Sequence, residues 1–124
     1  MFLIDSSGWV EFFTGGPLIE RYQDYLKDPL KLITPVIVLY EVYKKIKRER
    51  TEEDALAAVS LMNGTKIVQL TESIALLAAD LSLKHALPVA DAMVYATAVE
   101  QGCKIVTGDA HFKGLDSVVF IQGQ

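Results

Sequence analysis

The chain has 124 residues, a formal net charge of −4 and a single cysteine. Folding at this length buries roughly two thirds of the unfolded surface, enough for one domain with a real core. A composition 51% hydrophobic and 23% charged excludes disorder as the main state, and Cys103 alone excludes both a disulfide framework and a cysteine zinc site.

Taken in chain order, Phe2-Leu3-Ile4 reads as a buried strand that surfaces at Asp5. Ser6 or Ser7 then caps a short helix carrying Trp9, Phe12 and Phe13. Gly15-Gly16-Pro17 breaks it and opens a second helix with Leu18, Tyr22 and Leu26 on one side. Leu30 to Ile33 is the next strand, and Thr34-Pro35 reads as a cap and a first-turn proline, giving a helix over 35–50. Thr51 with Glu52, Glu53 and Asp54 starts another helix, which ends near Gly64. Lys66 to Leu70 is a third strand. Thr71 caps a helix to about His85, and Ala90 to Gln101 is a helix closed by Gly102. Lys104 to Thr107 and Ser117 to Ile121 complete a set of five strands. Apolar runs separated by helices indicate an α/β fold with a parallel sheet covered on both faces. Working sites in such folds lie at the carboxyl ends of the strands, which points to Asp5 and Asp109.

The N-terminus has no basic stretch before its apolar residues and meets a carboxylate at position 5, so it does not read as a signal peptide. No apolar run approaches the roughly 18 residues of a membrane helix, and a cytoplasmic protein without a membrane partner is expected. Residues 44–50 hold five of the twelve Lys and Arg and carry a net +4, leaving −8 for the rest of the chain. So acidic a body attracts a polyanion only through a local basic patch, bound cations, or both.

Four carboxylates stand out. Asp5 reads either as a helix N-cap or as a group at the strand edge. Glu41 lies within apolar Val38–Tyr43 and begins a polar stripe continued by Lys44, Lys45 and Arg48. That stripe is either a solvated helix face or a metal ligand beside a phosphate-binding ramp. Asp91 occupies the first turn of a small-residue helix, where it either caps or faces a close-packed pocket. Asp109, in Val-Thr-Gly-Asp-Ala-His-Phe, is either turn chemistry or a site residue, with Thr107 in reach of the same pocket. Converged without a cation, four acids would raise each other's pKa, and a hard divalent ion with oxygen ligands removes that problem.

These pieces, in this order and spacing, resemble PIN-domain ribonucleases, specifically the VapC toxins of type II toxin–antitoxin systems. The matching segments are Leu3-Ile4-Asp5-Ser6-Ser7, Thr34-Pro35 leading to Glu41, Leu87 to Ala92, and Val106 to Phe112, so the resemblance spans nearly the whole chain. It implies a three-layer α/β/α single domain over residues 1–124 with a five-stranded parallel sheet. It implies Asp5, Glu41, Asp91 and Asp109 as a Mg2+ or Mn2+ site, with Ser6 and Thr107 supporting it. It also implies RNA cleavage by metal-activated water, leaving a 5′-phosphate and a 3′-hydroxyl. A homodimer and a VapB-like antitoxin are the implied partners, and Lys44, Lys45 and Arg48 are candidate RNA phosphate contacts. Two positions depart from the pattern: His111 stands where many relatives carry another acid, and Gly108 where the residue is often larger or basic.

Other readings are open at this level. A catalytically silent PIN-fold interaction module and a housekeeping RNA-processing nuclease would both share these residues. A dinucleotide-binding domain fails because the turn after the first strand reads Asp5-Ser6-Ser7-Gly8, and a phosphoacceptor receiver fails because Gln69-Leu70-Thr71 offers no acceptor Asp. Tyr22, Tyr25, Leu26 and Tyr40 form either a partner groove or ordinary core and boundary packing.

Overall fold

The computed structural model describes residues 1–122. Five strands, β1 (Phe2–Ile4), β2 (Leu32–Pro35), β3 (Lys66–Val68), β4 (Lys104–Thr107) and β5 (Val118–Phe120), form one sheet in the order β3-β2-β1-β4-β5. Every neighbouring pair is parallel. The helices are α1 (Ser6–Thr14), α2 (Ile19–Leu26), α3 (Val36–Glu49), α4 (Glu52–Met62), α5 (Glu72–His85) and α6 (Val89–Gln101), with short 3-10 turns at Pro29–Lys31 and Ala110–Phe112. Helices cover the sheet in a three-layer α/β/α arrangement, as the strand pattern implied.

The central strands explain their own composition. Leu3, Ile4, Leu32, Ile33, Ile105 and Val106 are all at most 1% exposed, so successive residues are buried on both faces and the strands lack alternation. The chain runs outward from β1 through β2 to β3, then crosses back to β4 on the other side of β1. This reversal opens a crevice at the carboxyl ends of β1 and β4. The register sets Ile4 beside Val106, so Asp5 and Thr107 emerge together at that edge.

Several boundaries differ from the sequence expectation. Asp5, rather than Ser6 or Ser7, caps α1: its carboxylate accepts from the Gly8 amide. Pro17 does not open α2. Glu11 folds back to accept from the Leu18 amide, and α2 begins at Ile19. A Cβ on Gly16 would fall on the Glu11 carboxylate, so that strap requires glycine there. The second strand starts at Leu32 because Asp28 caps the 3-10 turn over Pro29–Lys31. Pro35 ends β2 and takes the N-cap position of α3. Thr34 does not cap that helix, because its hydroxyl is buried and bonded to Thr65 Oγ1 at 2.6 Å. Among the described residues no single helix is long and apolar enough to cross a membrane. The pair α5 and α6 reaches the required length and composition only together, bent by 114°.

Candidate active site

Three carboxylates reach one edge of the sheet from three separate segments. Asp5 follows β1, Asp109 follows β4 and caps the turn Ala110–Phe112, and Asp91 sits in the first turn of α6. Glu41, in the middle of α3, is a fourth acid close enough that Asp5 and Asp109 act on its ionisation.

Asp5 is the best-held group, only 4% exposed. Thr107 Oγ1 donates to its Oδ2 at 2.6 Å, and Ser7 Oγ donates to its Oδ1 at 2.7 Å. The Gly8 amide adds a longer bond of 3.3 Å to Oδ1. A carboxylate offers about four lone-pair positions. These bonds saturate Oδ1 and leave Oδ2 one acceptor position, so Asp5 is both helix cap and candidate ligand. Thr107 also accepts from the Asp109 amide at 2.9 Å, which ties the two acids through one hydroxyl. Tyr22, 1% exposed, lies beneath this layer with its hydroxyl against Gly108. A Cβ on Gly8 would come within 2.6 Å of both Ile4 and Tyr22, so glycine at position 8 lets α1 settle onto the strand.

The electrostatics follow from crowding. Burial holds the Asp5 carboxyl above its ordinary range, opposed by its hydrogen bonds and reinforced by Asp109. Burial likewise raises Glu41, opposed by the Ser6 hydroxyl and reinforced by Asp5 and Asp109. Asp91 is pushed from 3.8 up to about 6, by burial first and the Asp109 charge second, with His111 pulling the other way. The cluster is thus short of positive charge. Its oxygen donors suit a hard divalent cation, which would relieve the repulsion that adds to burial in raising all three groups.

His111, which the sequence marked only as a departure from the family pattern, is brought into this cluster. Its Nδ1 lies 2.9 Å from Asp109 Oδ1 and 3.1 Å from Asp91 Oδ2, and the three residues place one ligand atom each within 4.8 Å of one another. Ser7 was read only as a cap, yet its hydroxyl holds Asp5. The two-residue spacing from Asp5 was the signal for it.

Beside the cluster opens a cleft of about 480 Å³. Ser6, Ser7 and Glu11 of α1 form one wall, and Tyr40, Glu41, Lys44, Lys45 and Arg48 of α3 form the other. The basic stripe therefore faces the cleft, and Ser7 and Glu41 join the cleft to the acids. Tyr40 is 57% exposed with Lys44 Nζ above its ring. The tyrosines do not assemble one groove: Tyr22 is core, Tyr25 and Leu26 pack against that core, and only Tyr40 borders the cleft.

A family model described as the PIN domain matches residues 2–118. The chain belongs to the PIN-domain family. No curated protein matches it significantly. Among solved structures, this PIN domain is similar to a chain of a toxin–antitoxin complex from Klebsiella pneumoniae, at 22% identity and TM-score 0.81 over 96% of each chain. It is similar to VapC20 of Mycobacterium tuberculosis, described as a sarcin-ricin loop cleaving toxin, at 19% identity and TM-score 0.76 over 95% of this chain and 98% of that one. A chain of VapBC2 from Rickettsia felis, bound to a promoter DNA fragment, matches at 12% identity and TM-score 0.75 over 98% and 97%. At these identities the likeness is one of fold.

Proposed function

We propose that this PIN domain is a metal-dependent endoribonuclease and the toxin of a VapBC-type toxin–antitoxin pair. The observation that carries this reading is the convergence of Asp5, Glu41, Asp91 and Asp109 at the β1–β4 edge, beside a cleft walled by Lys44, Lys45 and Arg48. Structural neighbours described as toxin–antitoxin complexes, and one described as cleaving the sarcin-ricin loop, support the assignment to this branch of the family.

Asp5, Asp91 and Asp109 would hold Mg2+ or Mn2+, with Glu41 as a further ligand or as the group that orients the attacking water. When bound, such an ion lowers the pKa of a coordinated water and stabilises charge on a phosphate oxygen. The chain's own residues do the rest. Thr107 and Ser7 fix the rotamer of Asp5 by donating to its two oxygens. Lys44, Lys45 and Arg48 receive the RNA backbone along the cleft wall, supplying the attraction that the acidic body lacks. Glu41, raised by burial and by its acidic neighbours, is a stronger proton acceptor than an exposed carboxylate, which suits it to take a proton from water. A VapB-like antitoxin and a second copy of the chain are the partners this reading implies.

The test is cleavage of a mixed structured and single-stranded RNA pool in Mg2+, Mn2+ or EDTA, beside an Asp5→Asn protein purified identically. Cutting that needs the metal and is lost in Asp5→Asn supports the proposal. Cutting that survives EDTA or the substitution refutes it. Absence of both metal binding and cutting would favour a silent interaction module.

A further inference from the structure

Resting on the metal-site reading above, we propose that His111 gives the same cation a nitrogen ligand, and that this donor makes the site favour Mn2+ and Co2+ over Mg2+. The position of the ring is built in. The turn Ala110–Phe112 is anchored by fully buried Phe112, and the His111 amide donates to Asp109 Oδ1 at 2.9 Å. The backbone of residue 111 is thereby clamped to the carboxylate that its own side chain faces.

Nδ1 points at two carboxylate oxygens at once, 2.9 Å to Asp109 and 3.1 Å to Asp91. A bare imidazole nitrogen facing two anionic oxygens is repulsive, so this arrangement demands either a proton on Nδ1 or a cation among the three atoms. The spacing serves both: 2.9 and 3.1 Å are hydrogen-bond lengths for a protonated Nδ1 and equally the separations of donors sharing one ion. Neighbouring donors around an octahedral ion with bonds of about 2.1 Å lie about 3 Å apart. Both measured separations match that edge, and the three donors come from three different residues. Carboxylate and water ligands serve Mg2+ and Mn2+ alike, whereas an imidazole nitrogen adds affinity for transition metals and little for Mg2+. An acid at position 111 would supply a third oxygen and one more negative charge; histidine supplies neither.

The test uses the full chain with isotopic labels. Mn2+ bound to protein carrying 15N-histidine should show nitrogen hyperfine coupling in pulsed electron paramagnetic resonance. The coupling should vanish in His111→Asn and persist in His85→Asn, whose ring lies against Tyr95. The Co2+-to-Mg2+ affinity ratio, measured by calorimetry, should fall at least tenfold in His111→Asn. The side chain of His111 is 56% exposed, so the variant is expected to fold. Mn2+ binding without nitrogen coupling, or an unchanged affinity ratio, overturns the proposal and leaves the carboxylate site standing. Failure of the wild-type chain to bind any of the three metals overturns the metal site itself, and this inference with it.

Discussion

Replacing Asp91 by Asn should stabilise the metal-free protein near neutral pH. Asp91 sits at about 6 in the fold against 3.8 ordinarily, because burial and Asp109 both disfavour its charge. A raised carboxyl binds its proton more tightly in the native state than in the unfolded chain. Native protein therefore holds the extra proton between about pH 4 and 6, and stability must fall as pH rises through that window. Above pH 6 the whole penalty is present. At about 1.4 kcal/mol for each pH unit, the gap corresponds to about 3 kcal/mol. Solvent screening of this partly exposed carboxylate and local relaxation reduce the gain to about 2 kcal/mol, or about 6–10 °C in melting temperature for a domain of this size. The assay is thermal denaturation by circular dichroism in EDTA at pH 5.0 and 7.5. Wild type should melt lower at pH 7.5, and Asp91→Asn should melt above wild type there, with the difference shrinking at pH 5.0. Saturating Mn2+ should reverse the order, since ligand at a hundredfold its Kd adds about 2.7 kcal/mol to wild type alone. A variant melting at or below wild type at pH 7.5 in EDTA would refute the reasoning.

Thr107→Val removes the donor to Asp5 and the acceptor for the Asp109 amide, so chemical denaturation should show a loss of about 2–4 kcal/mol. Its Mn2+ affinity should fall with it, read by the same calorimetry. Gly8→Ala forces a methyl against Ile4 and Tyr22 and should cost about 1–3 kcal/mol by urea titration, with a Leu at the same place worse. Substituting Lys44, Lys45 and Arg48 together by Ala should weaken binding of single-stranded RNA and flatten the plot of log affinity against log salt by about 2, with metal affinity unchanged. An unaltered salt slope would remove these residues from the RNA path.

Much of the architecture was legible because burial writes itself into composition. Strands covered on both faces read as Phe2-Leu3-Ile4 and Ile105-Val106, and the acid after such a run marks the sheet edge whatever else it does. Asp5 was ambiguous between cap and site because position alone serves both roles, and the structure shows the cap, with an acceptor position on Oδ2 left open beside it. Pro35 misled because a proline's φ fits a strand end as well as a first helical turn. Thr34 misled because its partner, Thr65, is 31 residues away. The bonds that define the site share that property: Thr107 to Asp5 spans 102 residues, and His111 reaches Asp91 on another element. Patterns of spacing carry local geometry, whereas these pairings depend on the strand order that sets β4 beside β1.

The most direct test of the central claim is the chemistry of the cut ends. Hydrolysis by water at the carboxylate cluster should leave a 5′-phosphate and a 3′-hydroxyl, and should persist when the 2′-hydroxyl at the cut position is replaced by hydrogen. A 2′,3′-cyclic phosphate, or complete protection by the 2′-deoxy substitution, would show that the RNA supplies its own nucleophile and would contradict the account.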